Sequence, residues 1–277
     1  MKILKIIIKY ISLIKQGATL KDKLIIFFYF IKTPIYMIKQ KFNINYNHKL
    51  IGEVTVKSED GIFFCGDNIF PVWVGSNFHE QKLRKYFNIS EGTFIDIGAN
   101  IGKFSIIMGK KLDDKGKVLA IEPHPKNFKI LQKNIELNNL KNVTTLNLAC
   151  SNKKGNLQLF LDEDGTGGHS TIKSKKTKAG NNKIWVKAET LDSIIKKEKI
   201  KKVNLIKIDV EGAEANVLRG AIKTLNKSRP KIIFEAWDEQ YLKKVKKILN
   251  KFNYKIKKLP EENYLAYFLP LNTNPPK

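Results

Sequence analysis

Residues 94–103, Phe-Ile-Asp-Ile-Gly-Ala-Asn-Ile-Gly-Lys, constrain the fold more than any other stretch, because an apolar run breaks there into a glycine-bearing turn and then a helical pattern. An apolar run bounded by glycine and interrupted only near its end suits a strand covered on both faces, so residues 93–97 read as a buried parallel strand. The interruption is Asp96. A carboxylate at the carboxyl end of the first strand of an open α/β sheet sits beside the crevice where such sheets hold ligands. Gly98 and Gly102 bracket the turn, with Ala99 and Asn100 between them. Glycine lets backbone pass close to a ligand, and the first N–H groups of the helix that follows have no partner within it.

Spacing and charge select the ligand. A dinucleotide fingerprint requires G-x-G-x-x-G, but Asn100 stands where the middle glycine would admit a pyrophosphate, so a nicotinamide cofactor is disfavoured. A carboxylate at the turn would repel pyrophosphate, whereas it suits the ammonium group and sulfonium centre of S-adenosylmethionine. The next strand, residues 116–122, ends in Glu122 followed by Pro123. That acid lies roughly 20 positions beyond the last glycine, where it can accept both ribose hydroxyls of an adenosine. Asp96 alone would read equally well as a turn former; with Glu122 in register the ligand reading is preferred.

The formal charge is +25, nearly all of it lysine. Abundant Lys, Ile and Asn fit a biased codon supply or a hot-living source as well as a binding specialisation, so nucleic acid is not the expected partner, although an anionic surface is compatible. Cys65 and Cys150 stand far apart with no paired-ligand spacing, which indicates neither a disulfide framework nor a zinc site and points to a reducing, cytoplasmic setting.

Residues 1–48 form an amphipathic helical segment. Lys2, Lys5, Lys9 and Ser12 or Lys15 make one polar stripe, and Ile3, Leu4, Ile6, Ile7, Ile11 and Leu13 cover the other sides. A second apolar run, residues 24–31, stops at Lys32 and Pro34, short of the roughly 20 residues that cross a bilayer. Lysines interrupt the apolar run and no small-residue cleavage pattern follows, which argues against a signal peptide. Two arrangements fit: packing on the catalytic domain or on a second subunit of a homo-oligomer, or peripheral contact of residues 1–40 with an anionic membrane. Packing is the commoner use of such patterns and is preferred. Residues 49–90 read as a small antiparallel unit with short strands, the last over residues 69–74 with Pro71 placing it at an edge, and then a helix capped by Ser76 and carrying His79, read as an ordinary partly buried side chain.

From residue 91 to 270 strands and helices alternate, which implies an α/β fold with a mostly parallel sheet. Residues 143–149 read as one strand, followed by a loop in which Ser151 can edge an adenine or simply turn the chain. Residues 157–161 and 183–188 read as added strands around a polar insert. Its glycines and His169 suit a lid over substrate or a plain hairpin loop. Residues 203–208 end in Asp209-Val-Glu-Gly-Ala-Glu, which sends Asp209 and Glu211 toward the same crevice as Asp96, while Glu214 starts a helix. Another strand ends in Glu235, Asp238 caps a lysine-rich helix, a hairpin closes the domain, and residues 271–277 form a tail.

Four motifs in series, at residues 94–102, 120–125, 190–195 and 205–221, resemble the FkbM family of S-adenosylmethionine-dependent methyltransferases. The resemblance covers roughly residues 92–268. It implies a class I methyltransferase sheet, Rossmann-like and mostly parallel with a reversed last strand, preceded here by the helical and small antiparallel extension, and it implies methylation of a hydroxyl on a saccharide, glycolipid or other small acceptor. By motif, Asp96, Gly98, Asn100, Gly102 and Glu122 would hold the cofactor, with Asp209 and Glu211 beside the methyl group. In-line transfer needs alignment above all, and a hydroxyl acceptor also needs a general base: Asp209 first, then Glu211, Glu235 and His169. A divalent metal shared by Asp209 and Glu211 is an alternative that carboxylates alone do not establish. RNA methylation and a non-catalytic membrane-associated scaffold are the rival readings. The acceptor itself is not encoded in any motif.

Overall fold

The computed structural model describes residues 2–41, 48–162 and 179–268. Two helices open the chain, α1 (Lys2–Lys15) and α2 (Leu20–Lys41), followed by a hairpin of β1 (Lys49–Lys57) and β2 (Ile62–Asn68) and a short helix α3 (Ile69–Gly75). Alternation then begins with β3 (Gly92–Ile97), α4 (Lys103–Leu112), β4 (Gly116–Ile121), α5 (Pro125–Leu137) and β5 (Val143–Leu146). A side sheet of β6 (Ala149–Cys150), β7 (Gly155–Asp162) and β8 (Ala179–Glu189) interrupts the alternation. It resumes with α6 (Leu191–Lys197), β9 (Leu205–Ile208), α7 (Glu214–Arg219), α8 (Ile222–Lys227), β10 (Lys231–Glu235), α9 (Glu239–Leu249), β11 (Tyr254–Lys258) and β12 (Asn263–Phe268).

The main sheet has the order β11-β12-β10-β9-β3-β4-β5. Strands β10, β9, β3, β4 and β5 pair in parallel, and β12 runs antiparallel to both β10 and β11, so the last strand is the reversed one. The order turns back at β3, which lies between β9 and β4. Ligands of open α/β sheets bind at such a switch point, outside the carboxyl ends of the strands.

Successive residues of these strands feed opposite cores, as a doubly covered sheet requires. Phe94, Val118, Leu205 and Ile233 pack with Phe104, Met108 and Leu112 of α4. Ile95, Leu119, Ile206 and Ile232 pack with residues of α6 to α9. Each such buried side chain contributes about 1.5–3 kcal/mol relative to exposure. The amino-terminal elements share a core with this domain: Leu13, Ile25, Ile26, Leu50, Val54 and Val56 join Ile101, Ile106 and Leu131 in one cluster. The edge of β2 is stitched to α5 by two asparagines. Asn134 accepts from Phe64 N at 2.6 Å and donates to Phe64 O and Ile101 O, and Asn138 accepts from Ile62 N and donates to Ile62 O.

Three elements differ from the sequence reading. Residues 69–74 are helical rather than an edge strand, because the Asn68 side chain accepts from Phe70 N and starts a helix in whose first turn the missing Pro71 N–H costs nothing. Ser76 then ends that helix, its hydroxyl donating to Trp73 O, and the following helix is reduced to a 3₁₀ segment, Gln81–Tyr86. Residues 143–149 split into β5 and β6, which belong to different sheets. The Asn147 amide bridges the turn between them by donating to Glu122 O and Pro123 O.

Candidate active site

Four strands end side by side at the switch point, and each ends in an acid: Glu122 after β4, Asp96 in β3, Asp209 after β9 and Glu235 in β10. The turn after β3 folds against the neighbouring strand ends. Gly98 N and Ala99 N both donate to Ile121 O, and Asp209 N donates to Ile97 O. Gly98 has φ of 84°, and a Cβ there would overlap the Asp209 carbonyl, so the approach of the two loops needs glycine. A cleft of about 1270 Å³, open mouth included, lies over these ends.

One half of the cleft is lined by Asp96, Gly98, Ala99, Asn100, Glu122, Pro123 and Asn127, with Leu148, Ala149 and Cys150 as an apolar wall. Glu122 is buried, accepting from Asn100 N at 2.8 Å and His124 N at 2.9 Å. Burial pushes its pKa up to about 7 in spite of those donors. Asp96 accepts from Ser105 Oγ through Oδ2, while its Oδ1 is buried with no hydrogen-bond partner; burial raises this carboxyl also. An orphaned carboxylate oxygen, with a second buried acid at the neighbouring strand end, fits a cationic ligand that carries hydroxyl donors.

The other half is charged: His79, Glu80, Lys207, Asp209, Glu211, Glu235 and Glu261. Lys207 is buried and donates to Asp209 Oδ2 at 2.7 Å. Burial opposes its charge, but Asp209, Glu80 and Asp96 together hold it protonated, well above the ordinary lysine range. Burial likewise opposes ionisation of Asp209, and the Lys207 ammonium outweighs it, so Asp209 stays below the ordinary carboxylate range. Glu235 is pushed to about 10 by burial and by Asp209 and Glu211, so it carries a proton at neutral pH. Glu80 lies at about 7, raised by burial and by Asp209 against Lys207. His79, with Nδ1 3.3 Å from Glu80 Oε2, is held neutral by burial and by Lys103 and Lys207. Lys103 is buried, donates to Ser76 O and lies 3.5 Å from Asp60, and burial lowers it to about 8.

Asp209, Glu211 and Glu235 each offer an oxygen within 4.8 Å of the others and could hold a cation. Lys207 donates to Asp209 within the same cluster. Glu80, Asn100, Glu211 and Glu261, all lining the cleft, share positive φ values of 48° to 59°.

Of the residues singled out in the sequence, Asp96, Gly98, Ala99, Asn100, Glu122, Pro123, Asp209, Glu211 and Glu235 converge on the cleft. Gly102 instead caps α4 with φ of 93°, and Leu131 occupies the space a Cβ would need. Ser151 is buried beside the cleft rather than lining it, its hydroxyl donating to Asn152 and its carbonyl packed against Gly220. Glu214 starts α7 as read, but buried, accepting from Gly212 N and Val210 N. His169 falls outside the described residues. His79, Glu80, Lys103 and Lys207 were not identifiable as a group, because they come from a loop, a helix start and a strand. A lysine inside an otherwise apolar strand was the one signal available.

The reversed-strand sheet and the acids along its carboxyl edge define a class I methyltransferase fold. The Methyltransferase FkbM domain model matches residues 96–256. The chain therefore belongs to the FkbM family of S-adenosylmethionine-dependent methyltransferases. It is 28% identical over 179 residues to Methyltransferase sdnD of Sordaria araneosa, covering 54% of this chain and 69% of that protein. Methyltransferase 1 of Beauveria bassiana is 30% identical over 142 residues, covering 46% and 57% of the two chains. Hexuronic acid methyltransferase AglP of Haloferax volcanii is 27% identical over 130 residues, covering 47% and 50%.

Proposed function

We propose that this chain transfers a methyl group from S-adenosylmethionine to a hydroxyl of a saccharide or related small acceptor. The observation that carries the reading is the division of one cleft into two halves of different chemistry. On one side stand Asp96 and Glu122; on the other stands a base-bearing cluster around Lys207. The resemblance to a hexuronic acid methyltransferase supports a sugar acceptor.

The cofactor supplies an electrophilic methyl on sulfonium, so this chain's residues need only bind, align and move one proton. Glu122 would accept the ribose hydroxyls, and Asp96 would face the ammonium group. Glu80 is the proposed general base, since it lines the cleft with Lys207 and Asp209 and burial raises its carboxyl to about 7, matched to neutral pH. Asp209, held ionised by Lys207 and hydrogen-bonded by protonated Glu235, would orient the acceptor by accepting from a neighbouring hydroxyl, which leaves the single proton of the reacting hydroxyl to Glu80. The proton passes to Glu80 in this scheme and no step is routed through a metal, so treatment with a chelator should leave the rate unchanged.

Calorimetric titration with S-adenosylmethionine and S-adenosylhomocysteine tests the cofactor half. Wild type should bind saturably and Glu122→Ala should bind about 10- to 100-fold more weakly, the scale of a lost charged hydrogen bond. Absence of binding by folded protein would sink the activity. Labelled methyl incorporation across uronic acids, neutral sugars and RNA then tests the acceptor class, and incorporation into RNA alone would replace the sugar reading.

A further inference from the structure

The helical hairpin of α1 and α2 presents two apolar surfaces, and the domain uses one. On α2 the inward stripe is Asp22, Ile25, Ile26 and Tyr29, spaced at three and four residues and buried against β1. Asp22 is tied down inside, accepting from Thr55 N through one oxygen and from Thr19 through the other. Gln16 and Ala18 extend the docking, with Lys57 N donating to Gln16 O and Ala18 N to Thr55 O. The hairpin is thus a fixed part of the fold.

The second stripe of α2 is Leu20, Leu24, Phe27, Phe28 and Ile31, at the same helical spacing, 44–72% exposed. Ile6, Ile7, Ile8 and Ile11 of α1 are 46–56% exposed as well. Exposed apolar side chains scattered singly need no explanation, but nine on one two-helix unit mark an interaction surface. The charge around them is of one sign. Residues 1–41 hold nine lysines and one acid, the buried Asp22. Among the described residues no helix is long and apolar enough to cross a membrane.

We propose that α1 and α2 lie in the interface of an anionic bilayer, with Phe27, Phe28 and the exposed isoleucines in the acyl boundary and the lysines against lipid phosphates. An apolar face on helices whose exposed charges are all lysines is what such a surface attracts. A second copy of the chain fits less well, because a two-fold contact would set this lysine-rich patch against itself. Helix α1 also contacts the segment that borders the cleft. Lys9 of α1 lies over the rings of Trp73 and Phe78, 5.5 and 5.9 Å from their centroids, next to cleft-lining Val74 and His79.

Co-sedimentation with vesicles of phosphatidylcholine containing about 30% phosphatidylglycerol, compared with phosphatidylcholine alone, tests the proposal on the full chain. The protein should bind the anionic vesicles at least tenfold more tightly. Ile7→Glu/Phe28→Glu should weaken that binding at least tenfold while leaving the thermal midpoint and S-adenosylmethionine affinity as in wild type. Failure to bind anionic vesicles, or equal binding by the double variant, would overturn it. So would a sedimentation-velocity dimer that the double variant dissolves, which would assign the face to a second copy.

Discussion

Lys207 governs the protonation of the side chains that face it. Its ammonium sits 2.7 Å from Asp209 and lies over the ring of Phe104 at 5.0 Å, in register beside Asp96 on β3. Removing one member of a buried ion pair leaves an uncompensated charge, so Lys207→Met should lower the unfolding free energy by about 3–5 kcal/mol, measurable by denaturant titration. The same field sets the pH dependence of the proposed base. Glu80 must be ionised to accept a proton, so kcat should rise with pH through about 7 and level above it. Glu80→Gln should cost about 10²- to 10⁴-fold and abolish that limb. Asp209→Asn should retain the limb but move it to lower pH, because the Asp209 carboxylate is one of the groups that raise Glu80. A limb that persists in Glu80→Gln would transfer the role to another group.

At the level of elements, asparagine side chains do work usually done by backbone. Asn134 on α5 is fully buried and makes three hydrogen bonds to Phe64 and Ile101, joining the amino-terminal hairpin to the turn that carries the cofactor residues. Asn134→Ala strands those groups, and at about 1–3 kcal/mol per unsatisfied buried group the variant should lose at least about 2 kcal/mol of stability by chemical denaturation. Glu214 at the start of α7 makes a different prediction. Burial raises its pKa from 4.5 to about 7, so the folded chain binds this proton more tightly than the unfolded one. Its contribution to stability is fullest below about 4.5 and is lost as pH rises to about 7. Glu214→Gln should therefore gain stability relative to wild type between about pH 5 and pH 8, on the order of 2–3 kcal/mol at about 1.4 per pKa unit. Such elements are legible in outline: β3, β4, β9 and β10 read as buried strands because their apolar runs end in acids, and α9 announces itself by Asp238. Residues 69–74 read as a strand because a six-residue apolar run has no period that separates strand from helix; Asn68 makes them a helix through one hydrogen bond. The pairing of Glu80 with Asp209 and Lys207 is absent from sequence because it is made by the path of the chain between residues 76 and 92, not by spacing.

Across the whole molecule, charge outweighs every other feature of the surface. A formal +25 on 277 residues is self-repulsive, and Glu235, held protonated, removes one negative charge from that sum at neutral pH. Salt should therefore act in opposite directions on two properties. Screening shortens from about 30 Å at 0.01 M to about 3 Å at 1 M, so the thermal midpoint should rise between about 0.05 and 0.5 M sodium chloride as repulsion between lysines is relieved. Over the same range association with phosphatidylglycerol vesicles should weaken, because the attraction of the α1 and α2 lysines for lipid phosphate is screened. It should not vanish, since burial of Phe27, Phe28 and the exposed isoleucines does not depend on ionic strength. Complete loss of vesicle binding at about 0.5 M salt would reduce the hairpin to a purely electrostatic contact and remove the role assigned to its apolar stripe. Binding indifferent to salt would remove the role of the lysines. A midpoint that falls with salt would show that attractive surface pairs outweigh the net charge, leaving the lysine excess without the destabilising effect argued for it.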